Sequence, residues 1–143
     1  MKQAGTFLVA GSASGPALVL PGALSFWGGV DPETGTIIDR TQPAHGERLA
    51  GKVLVMPSGR GSSSASSVLA EVIRNGRGPA AIVLQRPDAI VTAGAIVARS
   101  LYGLVCPVVT TEIGQISDGD IVTICVLPGG CAEIEIGRVG ASP

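Results

Sequence analysis

Val53-Leu54-Val55-Met56-Pro57-Ser58-Gly59-Arg60-Gly61-Ser62-Ser63-Ser64-Ala65-Ser66-Ser67-Val68-Leu69 is the stretch from which the rest of the chain can be read. Its first four residues are an unbroken apolar run, long enough for a buried strand. Pro57 to Gly61 form a turn with two glycines and one arginine, and three serines follow. The pattern then becomes helical, with Val68, Leu69, Val72 and Ile73 recurring on one face. Strand, glycine turn, hydroxyl cluster and helix start together make a small anion site. The unpaired N–H groups of a helix's first turn attract a carboxylate or phosphate. Glycine lets the backbone approach a ligand closely, and Arg60 offers a two-pronged donor to an oxyanion. Serine-rich runs also serve as linkers or helix caps. A linker, however, does not normally sit between a Val/Leu strand and an amphipathic helix a few residues away.

Composition narrows the field further. A chain of 143 residues is expected to be a single domain over 1–143, long enough to bury a core. With 45% hydrophobic but only 3% aromatic residues, that core must be aliphatic. Gly 21 and Pro 10 signal many tight turns rather than a helix bundle. Ten basic residues against 11 acidic ones leave no basic patch, so nucleic acid is not an expected partner. No uncharged apolar run reaches the roughly 18 residues of a membrane span. The apolar piece after Met1-Lys2-Gln3-Ala4-Gly5 is interrupted by Gly11, Ser12 and Ser14, unlike a signal peptide, and a cytoplasmic protein is expected. Cys106, Cys125 and Cys131 are odd in number and lack CxxC spacing, against a disulfide framework or a metal cluster on this chain. Cys106 and Cys125 lie in apolar runs and read as buried, whereas Cys131 follows Gly129-Gly130 and reads as exposed. So apolar and weakly charged a chain is expected to cover part of its surface with a partner.

Around the central stretch the elements fall in order. Phe7–Ala10 and Ala17–Leu20 read as strands, joined through Gly11–Gly15 as a hairpin or short loop. The segment Pro21–Asp39 holds the only Trp next to a Phe, in Phe26-Trp27-Gly28-Gly29, and Trp27 is either a core plug or part of a binding surface. Asp31 opens the turn Asp31-Pro32-Glu33-Thr34-Gly35, as a turn cap or a substrate contact. His45, the sole histidine, lies in a polar connection and reads as solvated. The helix after the serines stops near Arg74-Asn75-Gly76. Pro79–Leu84 is a strand, Asp88 caps a helix over Ala89–Leu101 that is expected to be largely buried, and Cys106–Val109 is a further strand. Ser117-Asp118-Gly119-Asp120 reads as a hairpin-type turn into Ile121–Val126, and Ala132–Ile136 alternates like a half-exposed edge strand. The fold class is mixed α/β. A β-α-β-α-β unit with parallel pairing is flanked by hairpin strands that close a second sheet or a partial barrel.

Two runs carry a resemblance. Leu24-Ser25-Phe26-Trp27-Gly28-Gly29-Val30-Asp31-Pro32, with Gly35 and Ile37-Ile38-Asp39, precedes Val55-Met56-Pro57-Ser58-Gly59-Arg60-Gly61-Ser62-Ser63-Ser64. Together they resemble the small subunit of the aconitase X family. The likeness continues through Pro79-Ala80-Ala81-Ile82, Gly94-Ala95-Ile96-Val97-Ala98 and Pro107-Val108-Val109, nearly the whole chain. One departure is visible: the family usually has His-Pro where this chain has Gln42-Pro43.

The resemblance implies the swivelling β/β/α domain of aconitase-like enzymes and a larger subunit that carries an iron–sulfur cluster on its own cysteines. It implies the elimination of water from a small hydroxy acid, either cis-3-hydroxy-L-proline or 5-phosphomevalonate. By the same resemblance Ser62 would be the base that takes the carbon-bound proton. Arg60, Gly61, Ser63 and Ser64 would hold the substrate, Ser63 and Ser64 either capping the helix or binding substrate oxygens. A serine hydroxyl is a poor base unless its alkoxide is stabilised, which a helix N-terminus and Arg60 can provide. Only Arg60 is evident in the loop, which leans toward hydroxyproline over the phosphorylated substrate. Two other readings compete. One is a non-catalytic, anion-binding swivel module. The other, a phosphohistidine carrier, is weakened because His45 lies outside any phospho-acceptor motif.

Overall fold

The structure, a computed structural model, describes residues 1–61 and 63–138. Seven strands form one closed barrel in the order β1-β5-β4-β3-β2-β6-β7. They are β1 (Lys2–Val9), β2 (Ala13–Val19), β3 (Val53–Met56), β4 (Ala81–Leu84), β5 (Val108–Thr110), β6 (Ile121–Val126) and β7 (Ala132–Gly137). Four helical segments accompany them among the described residues: the single irregular turn α1 (Phe26–Gly29), α2 (Ser64–Arg74), α3 (Ala89–Tyr102) and a 3-10 turn at Ile113–Gln115. The pairs β3–β4 and β4–β5 are parallel, as the crossovers through α2 and α3 require, and β2–β3 is parallel across the long connection over 20–52. All other pairings are antiparallel.

Why β3 and β4 read as continuous apolar runs is clear from their two faces. Val53, Val55, Ala81 and Val83 point into the barrel with Val122, Ile124, Ile134 and Ile136. Leu54, Met56, Ile82 and Leu84 point outward, under Leu69, Val72 and Ile73 of α2 and Val91, Ala95 and Ala98 of α3. Both faces are covered, so no alternation survives. From β3 and β4, small Val and Ala side chains enter the narrow lumen and larger Leu, Ile and Met face the helix layer.

The helix ends follow the sequence signals. Asp88 caps α3 by accepting from the Val91 amide at 2.9 Å, and α3 stops at Gly103 in the left-handed region, φ +66°. At the end of α2, Asn75 donates to Glu71 O and Gly76 has φ +73°.

Four expectations are corrected. β1 and β2 do not form a hairpin: β1 pairs with β5 and β7, and β2 with β3 and β6. Nor does the Ser117–Asp120 turn join hairpin partners, since β6 lies between β2 and β7. β7 is not an edge. It is paired on both sides, and its alternation reflects Ile134 and Ile136 turned into the lumen while Glu133 and Glu135 face out. The apolar outer side of α3 is also not buried, because nothing among the described residues packs over Ile96, Val97, Leu101 and Tyr102.

Candidate functional site

The C-terminal ends of parallel strands are where α/β sheets bind ligands, and here the ends of β2 and β3 meet. After β3 the chain runs Pro57-Ser58-Gly59-Arg60-Gly61. Gly59 bridges to Leu24, beyond β2, and the Arg60 amide donates to Leu24 O at 3.4 Å. Both glycines are required by close approach. A Cβ on Gly59 would lie 2.7 Å from Val91 Cγ2 of α3. At Gly61, with φ +110°, it would lie 2.6 Å from Ser25 Oγ.

Arg60 is 61% exposed, and its Nη2 lies 3.6 Å from Asp39 Oδ2, while Asp39 itself is only 14% exposed. Asp39 Oδ1 accepts from the Thr41 amide at 2.9 Å and from the Thr41 hydroxyl at 2.6 Å. Those bonds, helped by the charges of Arg60 and His45, hold its carboxyl below the usual carboxylate range. Asp39 is therefore an anchor for Arg60 and not a proton donor near neutrality. Gln42 is buried and donates from Nε2 to Ala23 O at 3.0 Å, tying the two walls together. Between Pro21–Ala23, Thr41–Pro43 and Arg60 lies a cleft of about 280 Å³.

Ser62 lies outside the described residues. Ser63 precedes α2 in the helical region, and its own side chain does not cap the helix. The Ser66 hydroxyl instead donates to Ser63 O at 2.6 Å. Of the two roles open to Ser63, capping is thus not the one it takes. Its side chain and that of Ser64 are exposed beside the helix start, as is Gly61. Arg60, Gly61, Ser63 and Ser64 are brought together around one helix N-terminus.

The aromatic pair splits. Phe26 is buried and plugs the core, whereas Trp27 is 63% exposed. The chain leaves helical geometry at Trp27 and Gly28, and Ser25 Oγ donates to Trp27 O at 3.0 Å. Asp31 serves its turn, accepting from the Glu33 amide at 2.9 Å. His45 is exposed.

Sequence reasoning missed Asp39, Gln42 and Arg86 as site residues. Asp39-Arg40-Thr41 carries the signature of an Asx turn, but the pairing of Asp39 with Arg60 is long-range and has no local sign. Arg86, after β4, reaches Ser58 Oγ from Nη2 at 3.4 Å.

The cysteines supply no cluster. Cys106 is buried, its thiol pushed up by burial to about 12, Cys125 is half-buried and Cys131 exposed. Among the described residues no group of three or more His, Cys, Asp or Glu is placed to hold a metal ion.

A family model described as the aconitase X swivel domain matches residues 2–128. The chain belongs to that family. It is 55% identical over 101 residues to a cis-3-hydroxy-L-proline dehydratase of Pseudomonas aeruginosa, covering 71% of this chain but 17% of that protein. A second protein of the same name, from Hypocrea jecorina, is 39% identical over 97% of this chain and 24% of its own length. The chain thus spans about a sixth to a quarter of these longer relatives. It matches a phosphomevalonate dehydratase small subunit of Methanocella arvoryzae along most of both chains, at 40% identity over 87% of this chain and 92% of that one. The crystal structure of Thermococcus kodakaraensis aconitase X in its holo-form superposes with a TM-score of 0.84, at 34% identity over 96% of this chain and 99% of that chain. The swivel fold expected from the resemblance is therefore the one observed.

Proposed function

We propose that this chain is the small subunit of an aconitase X-type hydro-lyase and contributes the serine loop to the dehydration of a small hydroxy acid, cis-3-hydroxy-L-proline. The whole of 1–143 acts as one swivel unit, working in the cytoplasm with a larger subunit. The observation that carries the reading is the 55% identity to the P. aeruginosa dehydratase. The site geometry supports it: Arg60, steadied by Asp39, stands beside a helix start that the Ser63 side chain does not cap and a polar cleft, an arrangement suited to a carboxylate. No helix among the described residues is long and apolar enough to cross a membrane.

Elimination of water needs a base for the carbon-bound proton and an acid for the departing hydroxyl. An iron–sulfur cluster on the larger subunit would supply the Lewis acid; this chain's cysteines do not fit one. In this reading Ser62 takes the proton, and its alkoxide is stabilised by the α2 N-terminus and the Arg60 charge. Gly61 allows the close approach, and the exposed hydroxyls of Ser63 and Ser64 receive substrate oxygens. A second reading, 5-phosphomevalonate as substrate, is favoured by the match along 92% of the M. arvoryzae small subunit.

The test is a dehydration assay on the anaerobically co-expressed small and large subunits, with both substrates offered in parallel. Turnover of cis-3-hydroxy-L-proline is expected, and Ser62→Ala should lower it by at least about a thousandfold while the subunits still assemble, on the scale of losing an essential proton-transfer group. An active Ser62→Ala complex would sink the serine assignment. A cluster-loaded complex that dehydrates neither compound would point to another hydroxy acid, and failure to form any complex would leave an anion-binding module as the better account.

A further inference from the structure

The loop after β4 lies directly against the serine loop. The amides of Gln85 and Arg86 both donate to Pro57 O, at 3.2 and 3.1 Å. Pro87 then fixes the backbone, and Asp88 spends Oδ1 on capping α3. Arg86 is therefore presented from a braced backbone, which lowers the entropy lost on binding. Its side chain is exposed and forms no ion pair within 4.0 Å among the described residues. The nearby Glu112 carboxylate is engaged elsewhere, accepting from Gln85 Nε2 at 3.2 Å and from the Gly114 amide at 3.2 Å. The contact of Arg86 with Ser58 Oγ, at 3.4 Å, is long and to a neutral group, so most of its five N–H donors remain available. Arg60, by contrast, already faces Asp39. Arg86 approaches the serine loop from the β4 side, whereas Arg60, within the loop, is turned to Leu24 and Asp39 on the β2 side.

We propose that Arg86 is a second anion-binding residue of this site and holds an oxyanion group of the substrate, carboxylate or phosphate, from the β4 side of the loop. This rests on the reading that the serine loop binds a hydroxy acid. It also offsets the single-arginine argument against a phosphorylated substrate.

The test compares Arg86→Gln and Arg86→Lys with wild type in the assembled two-subunit complex. Arg86→Gln is expected to raise KM about ten- to a hundredfold, the scale of one lost charge-assisted hydrogen bond, with kcat changed less than about threefold. Arg86→Lys should recover part of the loss. A rise for both substrates assigns the contact to the carboxylate, and a rise for 5-phosphomevalonate alone assigns it to the phosphate. An unchanged KM, or a fall in kcat alone, reduces Arg86 to a brace for Ser58 and overturns the proposal. If wild type turns over neither compound, the assignment of these two substrates fails by itself. Titration of the same complexes with inorganic phosphate then decides for Arg86, with equal affinity in wild type and Arg86→Gln overturning the assignment.

Discussion

Cys106 and Cys131 show how environment sets the chemistry of identical side chains. Cys106 Sγ donates to Pro79 O at 3.5 Å inside the core, and burial disfavours its thiolate, moving its pKa from 9.0 to about 12. Because the folded value is the higher one, the contribution of this thiol to stability is complete below about pH 9. It is lost as pH rises from there toward 12, where only the unfolded chain ionises. An alkylating reagent followed by mass spectrometry should therefore label Cys131 quickly and Cys106 only after unfolding. Cys106→Ala should flatten the alkaline decline of the melting temperature. Labelling of native Cys106 at the rate of Cys131 would contradict the burial argument. The burial of Cys106 and the exposure of Cys131 were both legible, from an apolar run and a Gly-Gly turn. The opposite fates of Phe26 and Trp27 were not, because a backbone turn at Trp27 and Gly28 separates neighbours that sequence treats alike. Asp39 and Arg86 escaped for a related reason: a partner many residues away leaves no local pattern.

Helices α2 and α3 pack closely at one point. A Cβ on Gly94 of α3 would lie 2.8 Å from Ser66 O and 3.0 Å from Leu69 Cβ of α2. The first neighbour is backbone and cannot swing aside. Gly94→Ala should therefore separate the helices despite the better helix propensity of alanine, costing about 1–3 kcal/mol, as overpacking does. A thermal melt followed by circular dichroism checks this, and an unchanged or higher Tm would show that the helices yield freely. The same shift would disturb the serine loop, since Gly59 leans on Val91 of α3. The β-α-β-α-β elements were readable because each carries its own period and stop signals, from Val53–Met56 through Asp88 to Gly103. Strand neighbours were not. A strand's sequence records what its two faces meet, not which strands flank its edges. The Gly11–Gly15 connection thus read equally as a hairpin or a short loop, and it is the loop that forms, because β1 and β2 take different partners.

Among the described residues, closing the barrel leaves no free strand edge but does leave one helix face uncovered. Ile96, Val97, Leu101, Tyr102, Leu104 and Val105 are exposed on α3 and just beyond it, with Leu101 68% exposed. Beside them a groove of about 470 Å³ runs between α3 and β1, lined by Leu8, Pro87, Ala93 and Ile96. A contiguous apolar surface of this kind marks an interaction site, and the occupant we assign is the larger subunit of the proposed complex. Two observations argue for it. In the P. aeruginosa and H. jecorina relatives the matched segment is 17 and 24% of a longer chain, so far more protein accompanies this domain there. The groove beside the stripe also reaches the N-terminal end of α3 through Pro87 and Ala93, next to the Val91 that meets Gly59, so a subunit closing over the serine loop would continue onto it. Ile96→Glu combined with Leu101→Glu places charge on exposed positions and should leave the Tm within a few degrees of wild type. Co-purification with the larger subunit should be lost, and dehydration with it. A full-strength complex carrying both glutamates would remove α3 from the interface. Light scattering on the chain alone supplies the other discriminating result: a dimer that the double variant dissolves would make the stripe a self-contact, and the assignment to the larger subunit would fall.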